Sequence, residues 1–77
     1  MKEIAAKLIE YGIDFQYENF GSEGEKIISM STSIEINRQN GKIFFHYEDK
    51  CRVWDDVPEN IPSIVNLAEA ACLSETN

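Results

Sequence analysis

Seventy-seven residues carry fourteen acids against seven bases, a formal net charge of −7 with a sequence pI near 4.5. So short a chain has room for one domain and one core, and buries only about 60% of the surface its unfolded form exposes. The charge argues against direct DNA or RNA binding, which needs a basic patch to neutralise phosphates, and disfavours an anionic membrane surface for the same reason.

Lys2 to Tyr11 reads as a helix, with Ile4, Leu8 and Tyr11 on one stripe and Ala5 beside it. Gly12 stands where a helix stops in a left-handed turn, and Ile13 supplies the apolar residue that packs back. Ile13, Phe15 and Tyr17 then alternate with Asp14, Gln16 and Glu18, the period of a half-buried strand. Asn19 to Glu25, with two glycines, predicts an exposed loop.

Ile28, Met30, Thr32, Ile34 and Ile36 recur at every second place, alternating with Ser29, Ser31, Ser33, Glu35 and Asn37. One long strand or two joined by a bulge near Thr32 both fit that pattern. Asn40-Gly41 suits a two-residue type I′ hairpin turn, because both residues tolerate positive φ. Pairing across it sets Ile36 opposite Phe45, Ile34 opposite Tyr47, Arg38 opposite Ile43 and Glu35 opposite His46, which keeps both apolar sets on one face.

For the next reversal, a three-residue loop at Glu48-Asp49-Lys50 places Cys51 and Val53 on the core face. A two-residue loop places Arg52 and Trp54 there instead; the three-residue version is preferred because it buries no arginine. After Asp55-Asp56-Val57-Pro58 the chain turns again, Asn60 caps a second helix and Pro62 fits its first turn. Ile61, Ile64, Val65, Ala68, Ala71 and Cys72 form the stripe of that helix, and Ser74 to Asn77 are expected to fray. The predicted fold is a single α+β domain over residues 1–77. It has two layers, an antiparallel three- to four-stranded sheet (β-meander) with an N-terminal and a C-terminal helix packed on one face.

With 43% apolar and 27% charged residues the composition is that of a globular domain. The start of the chain lacks the pattern of a secretory signal, and no stretch approaches the roughly 20 apolar residues that cross a bilayer. Cys51 and Cys72 are too few for a disulfide framework; two reduced core thiols in a cytoplasmic protein are expected, with a single bridge left open.

Catalysis is not expected. His46 facing Glu35 could act as a general base with Cys51 as nucleophile, but the preferred register turns Cys51 inward and His46 outward, leaving a surface pair. His46, Cys51 and Cys72 lack zinc-ligand spacing, the acids form no calcium loop, and Gly21 and Gly24 lie among glutamates that would repel phosphate. No metal or cofactor is expected.

The remaining sheet face carries Asp14, Gln16, Glu18, Ser29, Ser31, Ser33, Glu35, Asn37, Phe44, His46, Arg52 and Trp54. In the preferred register Phe44 and Trp54 sit opposite each other, and paired aromatics beside an arginine have the composition of an interface hot spot. Together with Asp55 and Asp56, the residues Phe44, Trp54, His46, Arg52, Glu35, Glu18 and Asp14 make the candidate partner-binding set. The function expected is a non-catalytic protein-binding domain, an acidic inhibitor or adaptor docking on a basic or nucleic-acid-binding protein. In size, charge and lack of catalytic motif the chain resembles phage-encoded inhibitors of host defence, including anti-CRISPR and anti-restriction proteins. That resemblance covers no residue pattern and carries over no functional residue; it implies a DNA mimic acting in a host cytoplasm. The alternative is a structural homodimer or an accessory subunit built through the outer face or an edge strand.

Overall fold

The structure, a computed structural model, describes residues 1–29 and 32–76. Helix α1 (Lys2–Glu10) carries Glu3 in its first turn and Lys7 in its last, the charge order that suits the helix dipole, and buries Ile4 and Leu8. It ends as the sequence predicts. The Ile13 N–H donates to the Leu8 carbonyl at 2.9 Å and the Gly12 N–H to the Ile9 carbonyl at 3.0 Å, the paired bonds of a Schellman stop.

Five strands follow as an antiparallel meander in sequence order: β1 (Gln16–Asn19), β2 (Glu25–Ser29), β3 (Ile34–Gln39), β4 (Lys42–Tyr47) and β5 (Lys50–Asp55). Helix α2 (Ile61–Thr76) completes the fold after a short 3-10 turn at Pro58–Asn60. Both helices supply core residues to the same face of the sheet: Ile4 and Leu8 from α1 and Ile64, Ala68, Ala71 and Cys72 from α2 meet Ile27, Ile34, Ile36, Ile43 and Phe45. The two-layer α+β architecture is the predicted one, with five strands in place of three or four.

The extra strand arises between Glu25 and Gln39. Ser29 pairs with Ile34 and Ile27 with Ile36, so the chain reverses between 29 and 34, which excludes both one long strand and a bulged one. The reversal shifts β2 by one place relative to the expected alternation. Ile27 and Ser29 face inward and Ile28 faces out, because the odd residues of β2 must oppose the even residues of β3. Buried Ser29 donates its hydroxyl to the Asp14 carbonyl at 2.6 Å, which satisfies it inside the core. Met30 and Ser31, expected on this strand, lie outside the described residues.

Gly24 makes the close approach that lets β2 start. Its φ is 131°, and a Cβ there would stand 1.9 Å from the Arg38 carbonyl oxygen on β3. Only glycine fits. The β3–β4 hairpin is as predicted: Asn40 and Gly41 have φ of 55° and 73°, and Ile36 faces Phe45, Ile34 faces Tyr47 and Arg38 faces Ile43.

The β4–β5 hairpin is not. Tyr47 pairs with Lys50 across a two-residue turn with Glu48 at φ 56°, so Phe45 faces Arg52, Ile43 faces Trp54 and Phe44 faces Val53. Arg52 and Trp54 therefore point to the helix side, and Cys51 and Val53 to the outside. The objection to burying arginine does not apply, because the helices leave this end of β5 open and Arg52 stays exposed with its guanidinium over the Trp54 ring, 5.3 Å from the centroid.

Asn60 does not cap α2 with its side chain; its Nδ2 donates to the Asp55 carbonyl at 2.9 Å. The helix runs through Thr76, and Asn77 lies outside the described residues. The two helices are tied by Glu69, whose carboxylate accepts from Lys7 Nζ at 3.2 Å and from the Tyr11 hydroxyl at 3.0 Å. Those bonds hold the Glu69 carboxyl below its ordinary range and push the Lys7 ammonium and the Tyr11 phenol up.

Candidate functional site

No element among the described residues covers the outer face of the sheet, so its side chains are the ones the fold does not need for its core. Two cross-strand rows span all five strands, and a third, Gln39, Lys42 and Asp55, crosses β3 to β5. Of the two full rows, one runs Gln16, Ile28, Glu35, His46, Cys51; the other runs Glu18, Lys26, Asn37, Phe44, Val53. Charge and amides concentrate towards β1 to β3, while Phe44 and Val53, directly opposed, make an apolar centre towards β5 with Val53 52% exposed.

Beside that centre lies an open hollow of about 360 Å³, bordered by Ile28, Ser33, Glu35, His46 and Glu48. Two of its groups are carboxylates. Glu35 Oε2 accepts from Asn37 Nδ2 at 2.9 Å, and neither Glu35 nor Glu48 is ion-paired with a described residue. Some other acids are ion-paired: Lys42 pairs with Asp55, and Arg38 with both Glu25 and, at 3.3 Å, Asp56, whereas Asp14, Glu18, Glu23, Asp49 and Glu59, like the two in the hollow, pair with no described cation. Burial pushes the Glu25 carboxyl up, but bonds from the Tyr17 hydroxyl and the Arg38 guanidinium outweigh it and leave the carboxyl below its ordinary range.

The predicted residues distribute unevenly over this geometry. Phe44, His46, Glu35 and Glu18 lie on the outer face as expected, and so does Asp55. Trp54 and Arg52 do not; the two-residue turn takes both to the helix side, so the expected Phe44–Trp54 pair is replaced by Phe44–Val53. Asp14 sits ahead of β1, where its carbonyl serves Ser29. Asp55 and Asp56 are committed to Lys42 and Arg38. Ser29 faces inward, and Ser33 lies in the turn before β3. Glu48, Ile28 and Val53 belong to the face and were missed, because each depends on a reversal that the residue alternation did not reveal.

The register also brings Cys51 and His46 together. They are opposed on β5 and β4, with Sγ 3.8 Å from Nε2, where one inward and one outward side chain was expected. Cys51 is thus exposed, whereas Cys72 is buried in the core as predicted, and burial pushes its thiol up. The two sulfurs stand on opposite sides of the sheet. Among the described residues no group of three or more His, Cys, Asp or Glu could hold a metal ion, and no helix is long and apolar enough to cross a membrane. No family model, no curated protein and no solved structure matches this chain.

Proposed function

We propose that this chain is a non-catalytic protein-binding domain that docks its open sheet face on a basic partner, of the kind that handles nucleic acid. The observation that carries this is the pairing, on one face, of an apolar centre at Phe44 and Val53 with a hollow holding two carboxylates that are not ion-paired with any described residue. Exposed Val53 beside half-buried Phe44 supplies the desolvated anchor of an interface, and the hollow offers Glu35 and Glu48 to an arginine or lysine from the partner. The net charge of −7 adds long-range attraction to a basic surface, as an inhibitor that imitates nucleic-acid phosphates requires.

The row Glu35, His46, Cys51 places an acid, an imidazole and a thiol side by side, but on a face open to water, without the enclosure a covalent mechanism needs. A pull-down from host lysate tests the proposal, using the wild-type chain, Val53→Lys and the pair Glu35→Lys with Glu48→Lys as baits at two salt concentrations. The reading requires a basic protein that is lost with either bait variant and at high salt. Partners retained equally by all baits would sink it. A homodimer through the same face is the alternative, favoured by that apolar pair alone. Light scattering at micromolar concentration decides it, since a monomer removes that alternative.

A further inference from the structure

On the helix side of the sheet, opposite the face just discussed, the open end of the sandwich contains a slot of about 200 Å³. It exists because α2 turns two alanines, Ala70 and Ala71, towards β4 and β5, leaving the space above Phe45 unfilled. Phe45 and Ala71 form a buried floor, Tyr47 and Leu67 half-buried walls, and the lining is mostly carbon. The rim is different in kind. Lys50 and Arg52, two places apart on β5 and so on one face, bring two cations to the mouth.

Like Lys2 and Lys26, and unlike Lys7, Arg38 and Lys42, neither Lys50 nor Arg52 is ion-paired with a described residue, and these two stand side by side at one apolar opening. The Arg52 guanidinium is seated over Trp54, which fixes its position while leaving its N–H groups available to an anion. We propose that this slot binds an amphipathic monocarboxylate, its alkyl body lying against Tyr47, Leu67 and Ala70 and its carboxylate held between Lys50 and Arg52. The size limits the body. An engineered apolar cavity of about 150 Å³ accepts benzene, and pockets for drug-sized ligands run to about 300–1,000 Å³, so a medium-length alkyl chain fits where a bulky ligand does not.

Amide NMR shifts during titration with decanoate, and separately with the neutral decanol, test the assignment. Decanoate is expected to move the signals of Leu67, Ala70, Ala71 and Arg52, with a dissociation constant on the order of 100 µM, and decanol to bind at least about tenfold more weakly. Lys50→Gln and Arg52→Gln should each weaken decanoate about fivefold, and Ala70→Leu, which fills the slot from an exposed helix position, should abolish it with the remaining spectrum intact. Equal binding of decanol would mean that the long side chains merely cover apolar surface. That result overturns the proposal, as do shifts confined to the outer face, no shifts at millimolar decanoate, or glutamine variants within twofold of wild type.

Discussion

Arg38→Met should expose how much the fold relies on one inward-facing charge cluster. Arg38 Nε donates to Glu25 Oε1 at 2.7 Å, Nη2 donates to the same oxygen, and Nη1 reaches Asp56 at 3.3 Å; the Tyr17 hydroxyl donates to the other Glu25 oxygen at 2.5 Å. The Glu25 side chain is 15% exposed and that of Arg38 33%, so the pair lies between two regimes. Exposed pairs contribute about 0.2–1 kcal/mol, and breaking a buried pair costs about 3–5 kcal/mol. A loss of about 2 kcal/mol at pH 7 is therefore expected, equivalent to a melting temperature lower by about 8–16 °C.

The pH dependence gives the sharper check. A carboxyl held below its ordinary value stabilises the fold above the unfolded pKa of about 4.3 and loses that contribution as pH falls through its folded value. In Arg38→Met, Glu25 keeps its burial penalty with only Tyr17 opposing it. The deficit against wild type should be full at pH 7, shrink as pH falls through the Glu25 pKa of the variant and then the lower one of wild type, and be smallest once Glu25 is protonated in both proteins. Urea unfolding of wild type, Arg38→Met, Glu25→Gln and the double variant should give a coupling of about 1–2 kcal/mol at neutral pH. Additivity within about 0.4 kcal/mol, or a deficit independent of pH, would refute the assignment of this cluster as one unit.

Gly24→Ala should cost about 3 kcal/mol or more by urea unfolding, because the new methyl would meet backbone at Arg38 that cannot yield; an unchanged midpoint would contradict the β2–β3 approach. Glu48→Asn should raise stability by about 0.5 kcal/mol, since asparagine accepts the positive φ of that turn more readily than glutamate, and a measured loss would speak against the two-residue reversal. A thiol reagent should titrate one fast equivalent, Cys51, in the native protein and a second, Cys72, only in denaturant. Two fast thiols would show that α2 does not seal the core.

What could be read from the sequence was what local chemistry alone decides. The stop of α1 at Gly12, the Asn40-Gly41 turn and the facing of Ile36 on Phe45 each rest on residues within a few places of one another. The reversal between Ser29 and Ile34 carries no glycine, proline or asparagine-glycine signal, and an uninterrupted alternation looks the same whether the chain runs straight or folds back. At Glu48-Asp49 the error was physical. Facing inward was equated with being buried, although α2 leaves the end of β5 uncovered and Arg52 can face the helices in contact with water. That one register decides which rings and which thiol reach the outer face, so it decided most of the candidate site as well.

Because every strand pairs with its neighbour in sequence, the sheet can form by successive hairpin closures, each joining segments only a few residues apart. The helix–helix junction is another matter, since it joins opposite ends of the chain through Lys7, Tyr11 and Glu69 and closes the largest loop. Its formation should follow the folding barrier, so Glu69→Gln is expected to accelerate unfolding and leave the refolding limb of a stopped-flow chevron nearly unmoved. A slowed refolding limb would place that junction in the nucleus instead.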